Sequence, residues 1–374
     1  MYRADTMAPS DPESPNPAGW HPRAGDWVEI RSASEILSTL DASGDTERMP
    51  FMPEMLRFAG RRFQVSASAH KTCDTANRTG GRRLPRAVHL ADLRCDGSAH
   101  GGCQAECLLF WKTQWLKPVE GPQGAATGNG NPADGAGQGE AAALLAEKLS
   151  AHTGTMQPNG VMRYRCQALK LFDATQPLAW WDVRQYWEDV RSGNVPASHA
   201  LSTLLLSWVF HLRQLPIGFR FWVWLYGRMH QLIRGQPDPH MHGKVAAGDV
   251  TPDERTGLKV GDVVEIRSKA EIEATCNAMK RNRGLQIDEE MTTYCGHRFK
   301  VTNRVERIIN EQTGEMMEFK NPCIVLDGVV CKGEYSAKRL MCPRRITAYW
   351  REIWLRRVDD GTPPAGPAPG GEHG

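Results

Sequence analysis

The chain has 374 residues, a formal net charge of +3 and ten cysteines. That length carries two or three cored domains, and so small a positive balance argues weakly against a dedicated nucleic-acid binder, which usually carries a concentrated basic face, although a local patch fits within a balanced total. Acidic residues stand where a secretory signal needs an apolar core, so residues 1–21 read as a disordered leader of a cytoplasmic protein, whose cysteines are ligands, reactive thiols or buried small side chains and not a disulfide framework.

In chain order, Gly25-Asp26-Trp27-Val28-Glu29-Ile30-Arg31-Ser32 reads as a strand by its alternation, and it returns as Gly261-Asp262-Val263-Val264-Glu265-Ile266-Arg267-Ser268, displaced by 236 residues. A repeat of that length marks duplicated domains and not a solenoid. The same displacement pairs Glu35 with Glu271, Glu54 with Glu290, Phe63 with Phe299 and Cys95 with Cys331. After a three-residue insertion a displacement of 239 pairs Cys103 with Cys342, Trp111 with Trp350 and Trp115 with Trp354.

Ser32 and Ser268 are placed to cap short helices over 34–40 and 269–279, and second strands are predicted over 61–66 and 298–303. Copy two continues as a hairpin, 305–310 and 316–320, turning at Gly314, then a strand at 323–326 and a helix or twisted strand at 346–357. The predicted fold class is α+β: two homologous small SH3-like β-barrel domains, residues 22–118 and 257–359, flanking an α-helical, tryptophan-rich middle segment at 141–256. A flexible linker at 119–140 and a disordered tail at 360–374 complete the expectation.

In the middle segment, helices are expected over 141–151, 163–173, 199–212 and 219–233. Residues 195–212 hold no Asp, Glu, Lys or Arg and lie at the lower edge of a membrane-spanning length. A helical hairpin packed against the barrels is favoured. Trp222 and Trp224 among Arg213, Arg220, Arg228 and Arg234 also suit peripheral membrane contact through 195–234.

Thiolate is the soft ligand that zinc and iron–sulfur clusters favour. Cys73, Cys95, Cys103 and Cys107, spaced C-x21-C-x7-C-x3-C, are the candidate metal ligands, with Cys103 and Cys107 one turn apart on an expected helix. His70 or His100 could replace one thiol. Copy two offers Cys323, Cys331 and Cys342 as a second cofactor-binding set, although the counterparts of Cys73 and Cys107 are Ile309 and Ile346. The cofactor is zinc or an iron–sulfur cluster; buried or redox-active thiols are the alternative. Asp238, His240 and His242 read as an exposed loop before a metal site. The paired tryptophans read as core, and Arg344, Arg345, Arg351, Arg356 and Arg357 as a solvated basic side of the last helix. No motif marks a catalytic residue.

The stretches CDGSAHGGCQAECLLFWKTQWL and NPCIVLDGVVCKGEYSAKRLMCPRRITAYWREIWLRRV resemble those of a bacterial family of duplicated cysteine-motif proteins, often encoded near polysaccharide or natural-product biosynthesis genes, and the GDxVEIRS openings resemble the first strand of SH3-like barrels of the KOW type. The resemblance implies this architecture and a biosynthetic setting, with no activity to carry over. The expected function is an accessory metal-binding protein of a bacterial biosynthetic pathway with a scaffold or partner-binding role, its partner a protein or small molecule. The alternatives are an iron–sulfur oxidoreductase or electron carrier, and a nucleic-acid or membrane-surface binding module, of which nucleic acid is the less favoured.

Overall fold

The computed structural model describes residue 16 and residues 19–122, 132–212, 218–236, 238–336 and 338–358. The alternation in the two opening segments becomes the strands Trp27–Ile30 and Val263–Ile266. Val28, Ile30, Val264 and Ile266 are fully buried, while the intervening Glu29 and Glu265 pair with Arg62 and Arg298 on the outer side. Each strand leads into a helix, Ala33–Thr39 or Lys269–Thr275, closed by a capping box of Ser32 with Glu35 or Ser268 with Glu271. The serine oxygen takes an otherwise unpaired backbone N–H of the first turn, and the glutamate reaches back to the serine N–H.

The two displacements read from the sequence reappear as strand register. Val28 pairs with Phe63 and Val65 with Leu90 in copy one; Val264 pairs with Phe299 and Val301 with Leu326 in copy two. Ile30 opposes Leu116, as Ile266 opposes Leu355. Copy one's antiparallel sheet runs Trp111–Lys112, Ala87–Leu90, Arg62–Ser68, Trp27–Ile30, Leu116–Pro118; copy two's runs Met316–Leu326, Arg298–Ile309, Val263–Ile266, Leu355–Arg357. The predicted hairpin is part of the second and third strands of copy two, with Gly314 at positive φ in its turn.

The tryptophans are core. Trp111, Trp115, Trp350 and Trp354 have no exposed surface, and Phe51 meets both Trp111 and Trp115 edge to face. The element that carries them is not the expected helix. Leu108, Leu109, Phe110 and Trp111 are buried in succession, which a strand crossing the core allows and a surface helix of period 3.6 does not. Strand pairing and the one-turn 3-10 helices Thr113–Trp115 and Glu352–Trp354 replace it. Hence Arg344 and Arg351 do not line a solvated helix face: both are buried, while Arg356 and Arg357 stay outside and pair with Glu271 and Asp262.

The middle segment is not wholly helical. The helix Pro132–Ser150 begins inside the stretch expected to be linker and docks Leu145 and Leu149 into copy one. Residues 123–131 of that linker lie outside the described residues, as does the tail 360–374. Over 163–173 the expected helix is reduced to Gln167–Lys170, preceded by the hairpin of Gly154–Met156 and Met162–Tyr164. Part of the leader is docked: Asn16 donates to the carbonyls of Thr113 and Leu116 and accepts from Arg31. The helix Arg184–Arg191 is tied to copy one through Asp189, fully buried, which pairs with Lys71 and, at 3.3 Å, with His70. Helices Ala197–Leu212 and Phe219–Arg234 form the expected hairpin, packed through Leu206, Val209 and Tyr226. Among the described residues no helix is long and apolar enough to cross a membrane.

The copies touch each other directly. Residues 101–107 lie along copy two's long strand, where the Gln104 N–H donates to the Arg307 carbonyl at 3.1 Å and its side-chain oxygen accepts from the Glu306 N–H at 2.7 Å. Thr75 hydrogen-bonds Glu311, and Gln312 Nε2 donates to the Ala76 carbonyl at 2.7 Å.

Candidate metal centre

Cysteine, glycine and histidine in residues 95–103 make a turn whose shape the glycines permit. Gly97, Gly101 and Gly102 all have positive φ, the region open to glycine at no steric cost. A Cβ at Gly97 would lie 2.7 Å from the Cys103 nitrogen, so the turn closes only because position 97 has no side chain. The Gly102 N–H donates to the Gly97 carbonyl at 3.0 Å and the Cys95 N–H to the Cys107 carbonyl at 2.9 Å. Cys95, His100, Cys103 and Cys107 are thereby folded onto one side, without the helix expected for the last two.

That side faces Glu54, carried by the 3-10 turn Pro53–Phe58. The Cys95 thiol donates to Glu54 Oε1 at 3.1 Å and lies 3.8 Å from His100 Nδ1, which is 3.9 Å from Glu54 Oε1. One ligand atom from each lies within 4.8 Å of the others. Glu54 and His100 are buried, yet Glu54 Oε2 and His100 Nε2 have no hydrogen-bond partner among the described residues, an arrangement that buried polar atoms rarely tolerate. A cavity of about 40 Å³ adjoins them, lined also by Cys103, Cys107 and Cys166.

The electrostatics suit a cation. Burial, then the Glu54 charge, pushes the Cys95 thiol well above its ordinary pKa, and burial pushes Cys107 up to about 12. Burial holds the His100 imidazole below its ordinary value, against the pull of Glu54. A neutral imidazole is ready to ligate, and a bound cation would reverse the penalty on the thiols.

The sequence-predicted ligands therefore divide. Cys95, Cys103 and Cys107 line one cavity. Cys73 does not join them: its hairpin, Lys71–Asp74 paired with Gly80–Arg83, extends to copy two, where its carbonyl accepts from Arg344 and its thiol neighbours that of Cys342. The neighbouring Cys342 thiol is the main reason the Cys73 pKa falls, to about 6, while that of Cys342 is driven up. Of the second predicted set, Cys331 and Cys342 lie near Cys73, but Cys323 is separated from them. It packs into the sheet with Val305 and Val325 and receives a 3.6 Å contact from Arg351. Its strand fixes this, since Cys323 opposes Val305 and shares that buried face.

Two donors were missed. Glu54 was visible in the repeat as the partner of Glu290, but a lone carboxylate in a 3-10 turn has no ligand spacing to betray it. Cys166 carried no local signal and reaches the cavity only because the middle segment folds back on copy one. His70, considered as a replacement ligand, is engaged with Asp189. Comparison with protein-family models, curated proteins and solved structures found no match.

Proposed function

We propose that this chain is a zinc-binding protein with its centre at Glu54, Cys95 and His100 of copy one. The observation that carries this reading is the set of three donor separations, 3.1, 3.8 and 3.9 Å. Tetrahedral zinc with ordinary bond lengths places its ligand atoms about 3.3 to 3.8 Å apart. One carboxylate, one thiolate and one imidazole form a mixed set that suits zinc better than a cluster, which takes thiolates. The fourth position faces the adjoining cavity, where a water, Cys103 or Cys107 would complete it. A volume of about 40 Å³ admits an ion with its water and excludes an organic substrate.

A scaffold role follows better than turnover. The metal would clamp the 96–102 turn, whose far side presents Asp96 and Ser98 to solvent, while Gln104 holds the turn's end to copy two. On this reading each copy is an SH3-like open barrel, copy one is stapled at its rim, and the turn offers a surface to a partner in a biosynthetic assembly. The second reading, an iron–sulfur electron carrier, draws support from four thiols, Cys95, Cys103, Cys107 and Cys166, around one cavity.

Metal analysis with an absorption spectrum on anaerobically purified protein decides. Colourless protein holding zinc, with the copy-one equivalent lost in Cys95→Ser and His100→Ala, is the expected result. Iron with sulfide and a brown chromophore would replace zinc by a cluster. No metal in the wild type would overturn both.

A further inference from the structure

The turn that assembles copy one's donors is built again in copy two. Gly333 corresponds to Gly97; both have positive φ, and a Cβ at Gly333 would lie 2.7 Å from the Cys342 nitrogen, as one at Gly97 would from that of Cys103. The Met341 N–H donates to the Gly333 carbonyl at 2.8 Å where Gly102 donates to Gly97, and Cys331 donates to Ile346 at 2.8 Å where Cys95 donates to Cys107. Cys331 and Cys342 are thus carried by the same framework as Cys95 and Cys103. Glu290 stands at the register of Glu54, equally buried, each 6% exposed. What copy two lacks is the imidazole and the last thiol: Arg339 and Ile346 occupy the places of His100 and Cys107.

A further donor arrives from the other copy. The Cys73 carbonyl, on copy one's hairpin, accepts from Arg344, two residues beyond Cys342, and the Cys73 thiol neighbours that of Cys342. Its counterpart Ile309 makes the matching approach in the opposite direction, its N–H donating to Cys103 Sγ at 3.4 Å. Each copy therefore reaches into the other's turn at the same position, and at one of the two that position is a cysteine. Arg344 fixes the crossing: buried, it donates through Nη1 to the Cys73 carbonyl at 3.0 Å and to Thr75 Oγ1 at 2.8 Å, and through Nη2 to Glu311 at 2.9 Å.

We propose that Cys73, Cys331, Cys342 and Glu290 form a second site, shared between the copies, for a thiophilic divalent cation of the zinc class. Three sulfurs and a carboxylate match the donor number and chemistry of a tetrahedral site, and binding would draw them closer than they stand in this structure, where among the described residues only Glu54, Cys95 and His100 are gathered within 4.8 Å. Binding releases the thiol protons to solvent and changes no oxidation state. The proposal stands apart from the copy-one centre, because it uses different ligands and different chain segments.

The test is a titration of the full, chelator-stripped chain with Co²⁺, read by thiolate-to-cobalt charge-transfer absorption. The wild type should saturate at about two equivalents if both centres bind, with the stronger band from the three-thiol site. Cys73→Ser and Cys342→Ser should each abolish that stronger band and leave the other equivalent, while Cys95→Ser should remove the other alone. Glu290→Gln, which preserves shape should the cysteine variants not fold, should weaken one equivalent by about tenfold or more. If Cys95→Ser changes nothing while Cys342→Ser removes the band, the copy-one centre falls and the shared site stands. An undiminished band in Cys73→Ser or Cys342→Ser overturns the shared site. So does unchanged cobalt affinity in Glu290→Gln, or a Cys73–Cys342 disulfide found by mass spectrometry in anaerobically prepared protein.

Discussion

His89 stands in the strand Ala87–Leu90 opposite Ala67, with no exposed surface. With its proton on Nδ1 the ring donates to the Leu109 carbonyl at 2.9 Å and packs 4.6 Å from Phe110. Burial is the chief cause that lowers its pKa from 6.5 to about 4, assisted by the charges of Arg345, Arg344 and Arg94. The unfolded chain takes up this proton below pH 6.5 and the folded chain only below about pH 4. Between those limits the unfolded state binds more protons, so stability falls as the pH falls. Each pKa unit is worth about 1.4 kcal/mol, so the full gap costs about 3 kcal/mol, most of which falls between pH 7 and pH 4.5. His89→Val installs the residue that copy two holds at the same register, Val325. It forfeits one hydrogen bond, about 1 kcal/mol at neutral pH, and should remove this share of the acid sensitivity. Urea unfolding at the two pH values, followed by the fluorescence of Trp111 and Trp115 in the same core, measures both effects. An equal acid-induced loss in the variant and the wild type would refute the assignment to His89.

Asp189→Ala should cost about 3 to 5 kcal/mol in urea unfolding, because it strands buried Lys71 without its counter-charge; a loss below about 1 kcal/mol would show that Lys71 finds water or another acceptor. Gly97→Ala should lose the copy-one metal, since its Cβ meets the Cys103 backbone, whereas Gly60→Ala, at positive φ but with open space around it, should cost only about 1 kcal/mol and keep the metal. Equal metal content in the two variants would contradict the role given to the turn. Trp354→Ala, which empties the centre of copy two's core and removes the Nε1 bond to Thr275 at 2.9 Å, should destabilise by about 3 to 5 kcal/mol in thermal or urea unfolding.

The repeat was legible because a strand pair preserves spacing: every residue between Trp27 and Leu90 has its counterpart 236 positions on, and register transmits that regularity into the sheet. Capping was legible for a similar reason, since Ser32 and Glu35 act within one turn. The cysteine turn was recognised as a site, but its continuation was misread. Cys103 with Cys107 and Trp111 with Trp115 have helical spacing, and nothing local signals that Leu108, Leu109 and Phe110 between them are also buried. That Cys73 lies away from Cys95, Cys103 and Cys107 was not legible, because spacing along one copy cannot reveal a hairpin that crosses to the other. Glu54 and Cys166 could not be read as neighbours of Cys95 for the converse reason: tertiary folding alone brings them to its cavity.

Thr75 meets Glu311, and Gln312 meets Ala76; in each case a residue touches its own counterpart. Such self-meetings arise where two like bodies face each other across a two-fold axis, as in a closed homodimer. Here both halves belong to one polypeptide, so they need not remain identical. A true dimer would have to place cysteine at both crossing positions or at neither, while this chain sets Cys73 on one side and Ile309 on the other. Joining the halves is what lets one turn recruit its own histidine and the other borrow a thiol from its neighbour. Either half cut free would lose the residue it receives across the axis.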